Sequence, residues 1–186
     1  MPDTKYLIVG SSHAGLAALE AIRMVDSEGS ITLLSKEDTL PYSPTVLPYV
    51  FSGMADTDRV FLKDASYFNQ VGVEFLRGAA AVELNAKEGK AVLDDGKVIG
   101  FEKALLATGA RPQVPKVEGL SDCPFRVLRT LADAMALKSG MESARSAIIL
   151  GAGLIGMHAA ESLVEAGLQV TVVEMVNRVL PGYFDT

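Results

Sequence analysis

The sequence predicts an α/β protein with a mainly parallel sheet, an antiparallel β-meander and two βαβ units, on the strength of three observations. An apolar run from Tyr6 to Val9 stops at Gly10, and an alanine- and leucine-rich segment starts at Gly15. A second copy, Ala147-Ile-Ile-Leu-Gly-Ala-Gly-Leu-Ile-Gly156, has glycine at 151, 153 and 156. Between the copies, Val73 to Leu106 breaks into short alternating segments punctuated by Asp94-Asp-Gly-Lys97, a hairpin turn.

Four apolar residues are too few for a helix and suit a buried parallel strand, so the first copy reads as strand, tight turn and helix N-terminus. Leu16, Leu19 and Ile22 recur at helical spacing, Gly29 ends the segment, and Ile31-Thr-Leu-Leu34 supplies a second strand. At such a turn free backbone N–H groups meet the positive end of the helix dipole, where a phosphate can sit. The glycine fingerprint of dinucleotide-binding folds asks for glycine where Ser12 stands and for an acidic side chain where Ser35 ends the second strand. Glu37 and Asp38 follow just behind. Glu37 is the candidate for the ribose hydroxyls, set against its being a solvated loop charge.

Three prolines between Leu40 and Gly53 predict a rigid, irregular, tyrosine-bearing loop that either borders a planar ligand or packs between domains. Val73 to Leu106 reads as an antiparallel meander, with segments at 73–76, 80–84, 90–93 and 97–99, that ends in another apolar strand at Ala104-Leu-Leu and the small-residue turn Ala107-Thr-Gly109. Pro112, Pro115, Gly119 and Pro124 mark a linker, and a helix is expected from about Thr130 to Lys138. The helix of the second copy buries Leu154, Met157, Leu163 and Val164 and stops at Gly167. Gln169-Val-Thr-Val-Val173 then delivers Glu174 to a strand end. Two such openings imply two dinucleotides.

The 186 residues are 49% hydrophobic, enough for one large or two small domains. A net charge of −6 with no basic run argues against nucleic acid as a partner. The N-terminus carries no signal-peptide pattern, and the uncharged stretch 146–160 is too short to span a bilayer, so a cytoplasmic protein without a membrane span is expected. Cys123 is the single cysteine, which leaves no intrachain disulfide and no all-cysteine metal site.

The turn at Gly10 to Gly15, the Ala107-Thr-Gly109 turn, the full fingerprint at Gly151 to Gly156 and Glu174, in that order, resemble the pyridine nucleotide-disulfide oxidoreductase family over essentially the whole chain. The resemblance implies an FAD/NAD(P)-binding, Rossmann-like three-layer fold. It places the N-terminal part of an FAD-binding domain at 1–112 and the N-terminal part of an NAD(P)H-binding domain at 113–186. It implies FAD contacts at Gly10, Ser12, Ala14, Gly15, Glu37, Thr45, Ala81, Thr108 and Gly109, with the Ser12 hydroxyl donating to phosphate and the Ala81 backbone reaching adenine. The nicotinamide dinucleotide falls to Gly151, Gly153, Ile155, Gly156 and Glu174. Glu174 should bind the adenine-side ribose and repel a 2′-phosphate, which selects NADH over NADPH, although Arg178 nearby softens that choice. His13 is read as structural, and His158 is assigned no role.

The loop Tyr42-Ser-Pro-Thr-Val-Leu-Pro-Tyr49 is similar to a segment of NADH oxidases, coenzyme A-disulfide reductases and nitrite reductase-type flavoproteins. Several of these carry a redox cysteine two residues before Leu-Pro-Tyr. Thr45 stands there and forms neither a thiolate nor a sulfenic acid, which excludes cysteine-based disulfide or peroxide reduction. The implied activity is that of an FAD-dependent NADH:acceptor oxidoreductase, in which hydride passes between NAD(H) and FAD. Electrons then pass to or from a redox partner protein or iron–sulfur subunits. The alternative is a non-catalytic nucleotide-binding or assembly subunit, which Ser12, Ser35 and Thr45 would suit; three intact glycines and Glu174 favour the enzyme. Relatives complete the FAD domain after the NAD domain, whereas here the tail Leu180-Pro-Gly-Tyr-Phe-Asp-Thr186 follows directly. The chain therefore reads as an N-terminal piece with weak or no retained FAD and apolar edges that favour self-association.

Overall fold

The computed structural model describes residues 3–184; Asp185 and Thr186, the end of the tail, lie outside them. The first apolar run forms β1 (Thr4–Val9), α1 (His13–Val25) follows, and β2 (Ile31–Ser35) returns parallel to β1, with Tyr6 opposite Ile31 and Val9 opposite Leu34. The helix ends at Val25, well before Gly29, because Asp26 takes the C-cap. The Asp26 carboxylate accepts the Gly29 N–H at 2.8 Å, the Lys5 ammonium at 2.7 Å and the Tyr6 hydroxyl at 3.0 Å, which turns the chain back toward the sheet.

The proline-bearing loop is more regular than expected. Pro44–Val46 makes a single 3₁₀ turn and α2 (Leu47–Phe51) follows, with Pro48 in its first turn, where a missing N–H costs no hydrogen bond. Next come α3 (Ala65–Gln70), capped by the Asp64 carboxylate on the Tyr67 N–H at 2.9 Å, and β3 (Val73–Arg77). β3 pairs parallel with β2, so 73–77 belongs to the parallel sheet and not to the meander.

The antiparallel part consists of β4 (Ala81–Asn85), β5 (Lys90–Leu93) and the start of β6 (Val98–Leu106). β6 is one nine-residue strand where two were expected: residues 98–100 pair antiparallel with β5, and Phe101 to Leu106 pair parallel with β1. The resulting six-stranded order is β3-β2-β1-β6-β5-β4.

Side chains alternate across this sheet and fill two cores. Leu7, Val9 and Leu34 pack with Ala91, Leu93 and Ile99 of the meander and with Phe101 of β6, while Ile8, Ile31 and Leu33 pack with Leu16 and Leu19 of α1 and Phe68 of α3. Helices, parallel strands and meander thus make three layers, and a strand buried on both faces explains the unbroken apolar run at β1.

The remaining elements are α4 (Leu131–Met141), opened by a capping box between Thr130 and Asp133, then β7 (Ser146–Leu150), α5 (Leu154–Glu165) and β8 (Gln169–Val173). β7 and β8 form a parallel pair with Leu150 opposite Val173, and Gly167 follows α5 at φ 85°. By contact density the chain divides into two compact units, residues 3–43 with 61–110 and residues 44–60 with 111–184. Residues 44–60 join the second unit because α2, with Leu47, Val50 and Phe51 buried, packs on α4 and α5. Among the described residues no helix is long and apolar enough to cross a membrane.

One side chain ties α1 to the loops at the near end of the first unit. Arg23 donates from Nε to the Val71 carbonyl at 2.7 Å, from Nη1 to those of Asp26 at 3.1 Å and Gly29 at 2.8 Å, and from Nη2 to that of Gly72 at 2.8 Å. Arg23→Met should therefore lower stability by about 2 kcal/mol, read as a shift in the urea midpoint at unchanged slope. A loss under about 0.5 kcal/mol would show that water replaces the guanidinium without cost.

Candidate functional site

The two glycine-rich turns have the same construction. Gly10 has φ 113° and donates its N–H to the Leu34 carbonyl at 2.9 Å; Gly151 has φ 104° and donates to the Val173 carbonyl at 2.8 Å. A methyl group added at Gly15 would overlap the Gly10 carbonyl oxygen, and one at Gly156 would overlap that of Gly151. These positions accept only glycine because the helix starts directly over the strand end.

The middle position is different. Gly153 has φ −78° and ψ −179°, and Ser12 has φ −83° and ψ −160°, extended backbone that any residue adopts. A Cβ at Gly153 meets nothing within 4 Å, so only what approaches the turn from outside demands glycine there. Ser12 therefore leaves the first turn unstrained, and its single O–H, expected to donate to phosphate, donates instead to the Tyr42 carbonyl at 3.3 Å.

Neither Ser12 nor Gly153 caps its helix with a side chain, and neither α1 nor α5 has an acidic residue in its first turn. By contrast, α3 and α4 are side-chain capped. The first N–H groups of α1 and α5, at His13, Ala14 and Gly15 and at Leu154, Ile155 and Gly156, lie where a helix has no intrahelical acceptor to offer. Ala14 and Ile155 are exposed, as a surface that meets a ligand requires.

The pairings of Val9 with Leu34 and of Leu150 with Val173 make Ser35 and Glu174 equivalent positions. The Glu174 carboxylate accepts the Ala152 N–H at 2.7 Å on Oε2, and the N–H groups of Met175 at 2.7 Å and Val176 at 3.2 Å on Oε1. The Ala152 N–H first, then those of Val176 and Met175, hold this carboxyl below the usual carboxylate range. Ser35 instead donates its hydroxyl to the Glu37 carbonyl at 2.9 Å. The Glu37 carboxylate lies beyond the strand, half-buried, and accepts the Tyr42 hydroxyl at 2.7 Å on Oε2.

The Ala107-Thr-Gly109 turn lies against the first glycine turn. The Ala107 N–H donates to the Val9 carbonyl at 2.8 Å, a methyl group at Gly10 would overlap the Ala107 carbonyl oxygen, and Gly109 has φ 68°. The Ala79 N–H donates to the Ser35 carbonyl at 2.8 Å, and Ala81 packs against the core cluster that contains Val9 and Leu34. Gly10, Ser12, Ala14, Gly15, Glu37, Ala81, Thr108 and Gly109 therefore share the first unit, and Gly151, Gly153, Ile155, Gly156 and Glu174 share the second. Thr45 is exposed on the 3₁₀ turn of the second unit.

Contacts that spacing alone does not single out are the Tyr42 links to Ser12 and Glu37, His13 Nε2 with Ser43 Oγ at 2.9 Å, and Ala152 on Glu174. The tyrosines of the loop are its only visible signal. Arg178 spends a guanidinium N–H on the Pro181 carbonyl at 3.0 Å, and His158 stacks edge-on with Tyr49 at 5.5 Å between ring centroids.

Two outcomes follow from this geometry. Gly15→Ala should cost about 2 kcal/mol or more by urea unfolding, while Ser12→Gly should stay within about 0.5 kcal/mol of wild type. Glu174 titrates lower in the folded chain than in the unfolded one, so its stabilisation is complete above the ordinary carboxylate range and is lost as the pH falls through the folded value. Glu174→Gln should thus be less stable at neutral pH, with the two urea midpoints converging below about pH 4.

Comparison with known proteins places this geometry. The family model described as pyridine nucleotide-disulphide oxidoreductase matches residues 4–186. The chain is 50% identical over 182 residues to the NADH-dependent phenylglyoxylate dehydrogenase subunit epsilon of Aromatoleum evansii, covering 98% of this chain and 43% of that protein. It is 33% identical to the rhodocoxin reductase of Rhodococcus erythropolis, covering 97% of this chain and 44% of that protein. The crystal structure of the ferredoxin reductase for the CYP199A2 system from Rhodopseudomonas palustris superposes with a TM-score of 0.89 at 29% identity, over 98% of this chain and 45% of that one. The chain therefore spans less than half the length of these relatives. With the match running over nearly every residue and both glycine turns in place, the chain belongs to the pyridine nucleotide-disulphide oxidoreductase family.

Proposed function

We propose that this chain supplies the two nucleotide-binding turns of an FAD-dependent NADH:acceptor oxidoreductase that exchanges hydride between NAD(H) and flavin and trades electrons with a partner protein. The observation that carries the reading is the duplicated turn. Two helices start uncapped over a glycine that cannot bear a Cβ, and so present N–H donors and dipole to two separate anions.

The residues fit two dinucleotides. In the first unit Gly10, Ser12, Ala14 and Gly15 face the FAD pyrophosphate, Glu37 takes the ribose, Ala81 meets adenine, and Thr108 and Gly109 bring backbone close to the cofactor. On this reading FAD takes the part of 1–112 outside residues 44–60, which pack in the second unit, and 113–186 takes the nicotinamide dinucleotide. Bound FAD supplies the conversion between two-electron hydride transfer and one-electron transfer. Thr45 contributes no thiol, and Cys123, the single cysteine of this chain, lies in the linker without a second cysteine to pair with, so the proposed chemistry runs through flavin alone.

In the second unit Gly151, Gly153, Ile155 and Gly156 hold the pyrophosphate, and Glu174 orients the adenine-side ribose. Its carboxylate, fixed by three backbone N–H groups, stays ionised and opposes a 2′-phosphate, which favours NADH. Arg178, with its guanidinium directed to the Pro181 carbonyl, offers that phosphate little compensation.

Two of the relatives are named as reductases of rhodocoxin and of a ferredoxin, and the third as a subunit of an NADH-dependent dehydrogenase. Those names support a redox partner protein as the acceptor; an iron–sulfur subunit in that role, and a cytoplasmic location, are part of the proposal. Exposed Leu105 and Leu106 on β6 provide an apolar edge for self-association.

Anaerobic titration of the flavin-loaded intact protein tests the reading, since this chain by itself is expected to hold FAD weakly or not at all and to be inactive. NADH should bleach the flavin absorbance, with NADPH binding about tenfold more weakly, equivalent to about 1.4 kcal/mol. A spectrum that NADH leaves unchanged would overturn it.

A further inference from the structure

We propose that Tyr42 is the positioning residue of the first dinucleotide site: its hydroxyl aims the Glu37 carboxylate and its carbonyl holds the Ser12 side chain of the glycine turn. The proposal rests on reading the first unit as the FAD site.

The two units solve one problem differently. In the second, the acidic side chain sits at the strand end, and the glycine turn itself orients it through the Ala152 N–H at 2.7 Å. In the first, Ser35 occupies that place, and the carboxylate comes two residues later, outside any strand ladder. A carboxylate on a loop has many rotamers, and ordering it at the moment of binding weakens the complex. Tyr42 removes that freedom.

The residue is 6% exposed, and its hydroxyl reaches Glu37 Oε2 at 2.7 Å. The backbone around it is fastened on every side. The Leu62 N–H donates to the Pro41 carbonyl at 2.7 Å, Tyr42 forms an antiparallel bridge with Phe61, and Ser43 Oγ lies 2.9 Å from His13 Nε2. The Tyr42 carbonyl then accepts the Ser12 hydroxyl at 3.3 Å. One buried residue thus links the carboxylate for the ribose to the turn for the pyrophosphate.

An ionised carboxylate offers about four acceptor positions, so the phenol occupies one and leaves others for a vicinal diol. The diol lies on the adenosine half of FAD, which FMN lacks. Loss of the phenol should therefore weaken FAD and spare FMN.

The test uses Tyr42→Phe, Glu37→Ala and the double variant in the intact protein, with FAD and FMN titrated into apoprotein by flavin fluorescence. Tyr42→Phe should weaken FAD about tenfold and move FMN by less than about twofold. In the Glu37→Ala background the same substitution should change nothing further. Equal weakening of FAD and FMN, unchanged FAD affinity, or additive losses in the double variant would each overturn the proposal. Failure of Tyr42→Phe to fold overturns it too, because the hydroxyl then serves stability alone. Where FMN binds too weakly to measure, the FAD cycle alone decides. Wild-type apoprotein that takes up neither flavin overturns the FAD reading beneath it, a result separate from any variant effect.

Discussion

Both units depend on one close approach, that of the third turn glycine to the carbonyl oxygen of the first. Gly15 sits on Gly10 and Gly156 on Gly151 with no room for a side chain. That approach lets each helix begin where its strand ends, aligns strand, helix and return strand, and keeps the first helical N–H groups pointed at one spot. A single added methyl group would push the helix away and disperse the donors. The middle position carries no such demand, which is why serine is tolerated at 12 without any change in the shape of the turn.

The same frame supports two degrees of rigidity at the acidic residue. Glu174 is fixed by the backbone of its own turn, so its charge and its direction come with the fold. Glu37 is fixed by a side chain from a loop, and its direction follows that loop. A site built the first way is set as soon as the βαβ unit forms, whereas a site built the second way also needs residues 41–43 in place.

What is legible in the sequence is local. Glycines at the spacing of the turns, the apolar runs of β1 and β7, the hairpin at Asp94 to Lys97 and the helix that opens at Thr130 depend only on neighbours along the chain. What escapes is decided by neighbours across the sheet. β3 lies at the sheet edge and carries the charged Glu74 and Arg77 exposed, so its short mixed run does not separate an edge strand of a parallel sheet from a meander strand. β6 resembles two strands in sequence because its pattern changes halfway, where its partner changes from β5 to β1. Gly29 loses the helix end to Asp26, and Pro48 breaks nothing because it falls in a first turn. The role of Tyr42 is invisible in the sequence because its partners, Ser12 and Glu37, are joined only by folding.

The interleaving of the two units has a consequence for how the chain is made. Residues 44–60 belong to the second unit but leave the ribosome before the first unit is complete at residue 110. The partners of α2, helices α4 and α5, are not finished until residue 165. During that interval Leu47, Val50 and Phe51 have nowhere to be buried, so the nascent chain carries an apolar loop between two halves of an otherwise closed unit. The order of synthesis thus leaves this short helix waiting for partners that lie about a hundred residues further along the chain.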